Sequence, residues 1–217
     1  MTAYLFLGPT GHKVAAQFIH RAGLRVMPPA ARGDVKDLVD SHRPGAVLLV
    51  DGRFGDVLSV GHRELLHAVD QGWQVWGVAS MGAIRAAELG LDGVHGYGQV
   101  YEHLRDTQAP DDEVALLHGP APDYLPMSEA LVDLRAVLGT LASDGALPLS
   151  AAQEVERHLA NRWFGDRTMA ALVALCEQVG GPGPAREAAA LRSRLPELRV
   201  KTRDLINFLQ ERPWHCP

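Results

Sequence analysis

The stretch AVLLVDG, residues 46–52, decides the fold. Its five apolar residues, Ala46 to Val50, show none of the polar alternation of a half-exposed strand, and Asp51 and Gly52 close the run. A short strand that is apolar on both faces must be covered on both faces, as in a parallel sheet between layers of helices. Similar β-rich runs lie on either side, Tyr4 to Leu7 and Leu24 to Met27 before it and Trp73 to Ala79 after it. Amphipathic stretches separate them: between Gly61 and Val69, Leu65, Leu66 and Val69 fall on one stripe, and Gly72 supplies a stop. This order predicts parallel strands joined by crossover helices, with Ala46–Val50 central. A fifth strand is expected over Glu113 to Leu117.

From Ser128 the pattern turns helical. Three periodic segments begin at Ser128, Leu149 and Asp166; Ser150 and Gln153 fit a capping box, and Gly145, Gly165 and Gly180 fit stops. The GPGP run at 181–184 interrupts the series, and two further helices are expected, one from Ala185 and one from Pro196 to Arg212, which Pro213 ends. The expected class is α/β. Residues 1–125 would form a mostly parallel sheet with flanking helices and carry the active-site edge, and residues 126–217 an all-helical region packed on it.

Composition sets outer bounds. With 47% hydrophobic and 22% charged residues among 217, and no apolar run near the roughly 18 residues of a membrane span, the expectation is a soluble globule with no membrane partner. The start is apolar over Ala3 to Leu7 and lacks a basic n-region, so it reads as a buried strand rather than a secretory signal, and a cytoplasmic location is expected. The two cysteines, Cys176 and Cys216, offer neither a disulfide framework nor a CxxC pair, and neither is a catalytic candidate. A net charge of -5 without a basic stripe argues against a nucleic-acid partner. Lysine occurs at Lys13, Lys36 and Lys201 alone, against eighteen arginines, so each retained lysine is a candidate for a specific task.

In open parallel sheets ligands collect beyond the carboxyl ends of the strands. Three strands end there in candidate residues: Gly8-Pro9-Thr10-Gly11, Asp51-Gly52, and Ser80-Met81-Gly82. The first lacks the GxxxxGK[ST] spacing of a phosphate loop. Ser80 stands between a buried strand and a helix N-terminus, where the amides of Met81 and Gly82 and the helix dipole would favour a developing negative charge. The same position suits an ordinary N-cap serine. GVASMG departs from the GxSxG elbow, because Val occupies position 78. Arg85 and Glu88, three apart, either pair with each other or hold a carboxylate-bearing substrate beside Ser80. Asp111, Asp112 and Glu113 read as a loop and cap. His62 and His67 are five apart, and His95, His103 and His118 show no HExxH or HxE…CxxC spacing, so no metal is expected.

Taken together, DGRFGDVLSVGHRELLHAVDQGWQVWGVASMGAIRAAEL (51–89), GVHGYGQVYEHLRD (93–106) and DDEVALLHGPAPDYLPMSEALVDLRAVL (111–138) resemble the core of the TfuA-like family. Its most specific pieces are Asp51-Gly52, the Ser80-Met81-Gly82-Ala83 turn with Arg85 to Leu89, and Asp112 to Ala115 with His118. A later segment, LRVKTRDLINFLQ (198–210), resembles a family segment carrying a lysine. The resemblance implies a partner of YcaO-type ATP-dependent enzymes, which activate a backbone amide oxygen of a ribosomal peptide or protein so that sulfide can replace it. It further implies hydrolysis of the thiocarboxylate of a ubiquitin-like sulfur-carrier protein by a Ser-Lys pair, with no cofactor. That assigns the nucleophile to Ser80, the base to Lys201 and oxyanion donors to Met81 and Gly82. Thr10, Asp51, Arg85, Glu88, Arg105, Asp112, Glu113 and His118 become substrate-binding or supporting residues. Two other functions fit the residues: a non-catalytic adaptor docking the YcaO enzyme and its peptide, and a small-molecule or nucleotide-binding α/β protein with no sulfur role.

Overall fold

Ala46–Leu49 forms a strand buried along its whole length, and the rest of the sheet is arranged about it. The computed structural model describes residues 1–55 and 57–215, so Cys216 lies outside the described residues. The chain divides into two units, one of Met1–Pro110 together with the segment from Asp204 onward, the other of Asp111–Arg203.

In the first unit, β1 (Ala3–Phe6), β2 (Leu24–Met27), β3 (Ala46–Leu49), β4 (Gln74–Val78) and β5 (Val94–Tyr97) lie parallel in the order β2-β1-β3-β4-β5. Ala3 stands opposite both Leu24 and Ala46, Ala46 opposite Gln74, and Val75 opposite Val94. Helices α1 (Ala16–Ile19), α2 (Asp34–Ser41), α3 (His62–Asp70) and α4 (Met81–Leu89) make the crossovers, and α5 (Gln99–Thr107) follows the last strand. The chain steps outward from β1 to β2 and then crosses back to β3. The strand order therefore reverses between β1 and β3, and the carboxyl ends of those two strands flank the switch point where such sheets bind ligands.

The fifth strand is Val94–Tyr97, not residues 113–117, where Asp111–Glu113 forms a 3-10 turn. A glycine and a histidine weaken the β signal of VHGY, and pairing with β4 supplies what local propensity lacks.

Side chains alternate across the sheet, so Ala3, Leu5 and Leu48 share one face. They are buried there with Val50 and Val78 beneath Leu205, Phe208, Leu209 and Trp214 from the end of the chain. The Phe208 ring lies 5.2 Å from Tyr97, 5.8 Å from Trp76 and 4.7 Å from Trp214, measured between centroids. The last helix is thus the cover of one sheet face.

The second unit contains α6 (Leu131–Ser143), α7 (Leu149–Ala160), α8 (Met169–Gly180), α9 (Pro182–Ala190), α10 (Leu195–Leu198) and the first residues of α11 (Val200–Glu211). Leu134, Leu138 and Leu141 of α6 pack with Val155, Leu159, Leu172 and Leu175. Gly145 and Gly181, at φ 73° and 85°, take the left-handed backbone that follows α6 and α8. Helix α7 starts two residues earlier than its capping-box signal: Pro148, with φ already helical at -56°, is the N-cap, which places Ser150 inside the first turn. The long helix expected from Pro196 to Arg212 is broken at Arg199, whose extended backbone (ψ 111°) separates α10 from α11. Arg199 is held there by a forked ion pair to Glu129, at 2.9 and 2.7 Å. Among the described residues no helix is long and apolar enough to cross a membrane.

Candidate active site

Strand β4 leads into α4 through two residues. Ala79 has φ 66°, and the Ser80 amide donates back to the carbonyl of Val78 at 2.8 Å, closing a three-residue turn. Such a turn with a positive φ is strained for an L-residue, and packing must hold it in place. Two glycines allow that packing: a Cβ on Gly77 would fall 2.0 Å from the carbonyl oxygen of Gly82, and one on Gly82 would fall 1.8 Å from that of Leu49. The start of α4 is in this way pressed directly against β3 and β4.

Ser80 occupies the N-cap position of α4, yet its side chain makes no capping hydrogen bond. Among the described residues the structure gives its hydroxyl no hydrogen-bond partner, and the residue is half-buried. Its carbonyl accepts the amides of Ala83 and Ile84. The two expected oxyanion donors differ. Gly82 N–H is committed to the carbonyl of Val50 at 3.1 Å, whereas Met81 N–H has no backbone partner among the described residues.

Thr10 and Asp51 meet at the switch point. The Asp51 carboxylate, 1% exposed, accepts the amides of Gly8 and Thr10 at 2.8 and 3.0 Å and the Thr10 hydroxyl at 2.6 Å. Three donors satisfy the buried charge and leave Asp51 fixing the β1 loop. Gly52 lies against the Met81 side chain, so the β3 and β4 ends adjoin. Arg85 is tied elsewhere: its guanidinium donates to Val60 O at 2.9 Å and to Glu88 at 2.6 Å, and Glu88 also meets His62 at 2.8 Å. Arg105 lies exposed on α5, paired with Asp106 at 2.7 Å and 5.3 Å from the centre of the Tyr101 ring.

The remaining candidates belong to the second unit. Asp112 receives Arg167, which is 1% exposed, through its carboxylate and its carbonyl, both at 2.6 Å. Glu113 holds Arg135 in a fork at 3.0 and 3.1 Å. His118 Nδ1 contacts Gly119 O at 2.7 Å, with its ring edge-on to Tyr124. Lys201 is 2% exposed and donates from Nζ to the carbonyl of Val114 at 2.7 Å, while its backbone amide donates to Asp133 at 3.1 Å. The acidic motif thus anchors arginines, and its valine carbonyl receives the lysine.

Sequence reasoning missed Asp133 and Asp204. Asp133 is 1% exposed, and burial pushes its carboxyl up to about 6 against the favourable pull of Lys201. Its signal was a lone carboxylate in the apolar face of LVDLRAVL. Asp204 accepts the amide of Val100 at 2.9 Å and so caps α5 from far along the chain, which no local pattern announces. Burial raises the Cys176 thiol to about 11, which leaves it an inert core residue. Among the described residues no group of three His, Cys, Asp or Glu is placed to hold a metal ion.

No curated protein matches the chain. A protein family described as TfuA-like protein matches residues 51–168, a span that includes Asp51, the Ser80 turn and the acidic motif and stops short of Lys201. This family is associated with YcaO enzymes, and the match supports an accessory role beside one. Because the matched span covers more than half of the 217 residues, the chain belongs to the TfuA-like family.

Proposed function

We propose that this protein supports YcaO-dependent thioamidation of a ribosomal peptide or protein by hydrolysing the thiocarboxylate of a ubiquitin-like sulfur-carrier protein. The observation that carries the reading is Ser80: a serine on a strained strand-to-helix turn whose hydroxyl does not serve the helix as a cap. In this scheme the Ser80 oxygen attacks the thiocarboxylate carbon while an unprotonated Lys201 amine takes the hydroxyl proton. The C–S bond breaks, the proton passes to sulfur, and hydrosulfide leaves an acyl ester on Ser80. Water then attacks the ester, its proton returns the serine to the hydroxyl form, and the carrier departs as a carboxylate. Negative charge on the tetrahedral oxygen falls near the start of α4, where the dipole and Met81 N–H favour it.

The direct test adds the purified protein to thiocarboxylated carrier and measures sulfide. Release that Ser80→Ala and Lys201→Ala each abolish, with the double variant little worse than either, fits two groups acting as one unit. Lys201→Arg should fail as well, because a guanidinium stays protonated. A non-catalytic adaptor would release no sulfide but would still co-purify with the YcaO-type enzyme and raise its yield of thioamide. The helical second unit, more than a hydrolytic site requires, favours a docking role alongside the chemistry.

A further inference from the structure

The first unit contains a groove of about 690 Å³ whose lining includes Arg85 and Glu88 but not Ser80. Its walls are the first turns of α2 and α3 and the side of α4 that carries Arg85. Four fixed cations, Arg32, Lys36, Arg63 and Arg85, face it against two carboxylates, Glu64 and Glu88. Lys36 is paired with Asp40, and Arg85 with Glu88. Arg63 has no ion pair or hydrogen bond among the described residues, and Arg32 spends only Nε, on Ser59 O at 3.3 Å. Both are exposed.

Glu64 decides what can bind. Its carboxylate, almost fully buried, accepts the amides of Gly61, Gly33 and Val35 at 2.7, 3.0 and 3.2 Å. Three of the backbone donors that could meet a phosphate at these helix starts are therefore taken by a carboxylate of the chain itself, which also sets a negative charge where that phosphate would sit. What remains on this lining is the two exposed guanidiniums of Arg32 and Arg63, whose planar forks suit carboxylates. The chain as a whole carries -5, whereas the groove lining has four fixed cations to two carboxylates. An acidic segment would be repelled by the rest of the surface and drawn here.

We propose that this groove binds an acidic peptide segment of a protein partner, a function separate from the chemistry assigned to Ser80. The test uses fluorescence anisotropy at about 0.15 M salt, where weak surface attraction is screened. The probes are a labelled peptide of alternating Glu and Ala and its counterpart with Gln for Glu. The Glu peptide should bind saturably and the Gln peptide should not. Arg32→Glu with Arg63→Glu should weaken binding by about tenfold or more, while Arg192→Glu, an exposed arginine of the second unit, should leave it unchanged. The milder Arg32→Gln and Arg63→Gln pair checks the result should charge reversal unsettle the fold. Equal binding of the Gln peptide, binding indifferent to the arginines, or no saturable binding overturns the proposal. So does displacement by ATP or inorganic phosphate at concentrations below those of the unlabelled Glu peptide, which would mark a phosphate site.

Discussion

Ser80 stands where a cap belongs without acting as one, so a single substitution separates its two roles. Loss of a working N-cap costs about 1 kcal/mol; here no cap bond is made, and Ser80→Ala should melt within about 0.5 kcal/mol of wild type while sulfide release disappears. A clear drop in melting temperature with turnover intact would return the residue to the helix. Asp51 predicts the opposite pattern. Asn in its place would face one of three donors with its own NH₂, so Asp51→Asn should cost about 1–3 kcal/mol in denaturant unfolding and reduce turnover of the folded protein less than Ser80→Ala does. Gly82→Ala should prevent folding or cost well over about 3 kcal/mol, because the new Cβ meets the Leu49 carbonyl and not a flexible side chain. The sequence placed Thr10, Asp51 and Ser80 at strand ends because strand ends are marked by composition. It could not show that Asp51 is consumed by Thr10 or that Gly82 N–H belongs to Val50, since both bonds depend on register between strands remote in the chain.

Among the elements, α6 carries a buried carboxyl, Asp133, whose behaviour should change with pH. Asp133 titrates near 6 when folded and near 4 when unfolded, so the native state binds the proton more tightly. Stability contributed by this group therefore rises as pH falls from about 6 toward 4, and above 6 the buried carboxylate is a full penalty. Asp133→Asn keeps an acceptor for the Lys201 amide and abolishes the titration. Its stability relative to wild type should improve by about 2–3 kcal/mol between pH 4 and pH 7, read from urea melts at both; a constant difference would show that Asp133 does not titrate there. In α11, Phe208→Ala should cost about 3–5 kcal/mol, since the ring is fully buried among sheet and terminal aromatics. Four strands were legible as short β-rich runs, the central one apolar throughout, and the run of helices by its apolar period. VHGY was not, because its pairing rather than its residues makes it a strand, and the Arg199 break was not, because it is fixed by a glutamate seventy positions away.

For the whole molecule, the chain is a TfuA-like family member with an accessory role beside a YcaO enzyme, and the helical unit and the groove lined by Arg32 and Arg63 are the places where docking is proposed above. The class of fold could be read from the central strand and its neighbours, but the return of the last helix to the sheet could not, since nothing local distinguishes Leu205, Phe208 and Leu209 from the helical faces before them. That return has a consequence during synthesis. Residues Asp111–Arg203 are interposed between α5 and the segment that covers the sheet, so a ribosome completes the second unit before it supplies the missing face of the first. A nascent chain paused anywhere in that interval carries an open apolar sheet, with Ala3, Leu5 and Leu48 uncovered, and is then the form most in need of a chaperone.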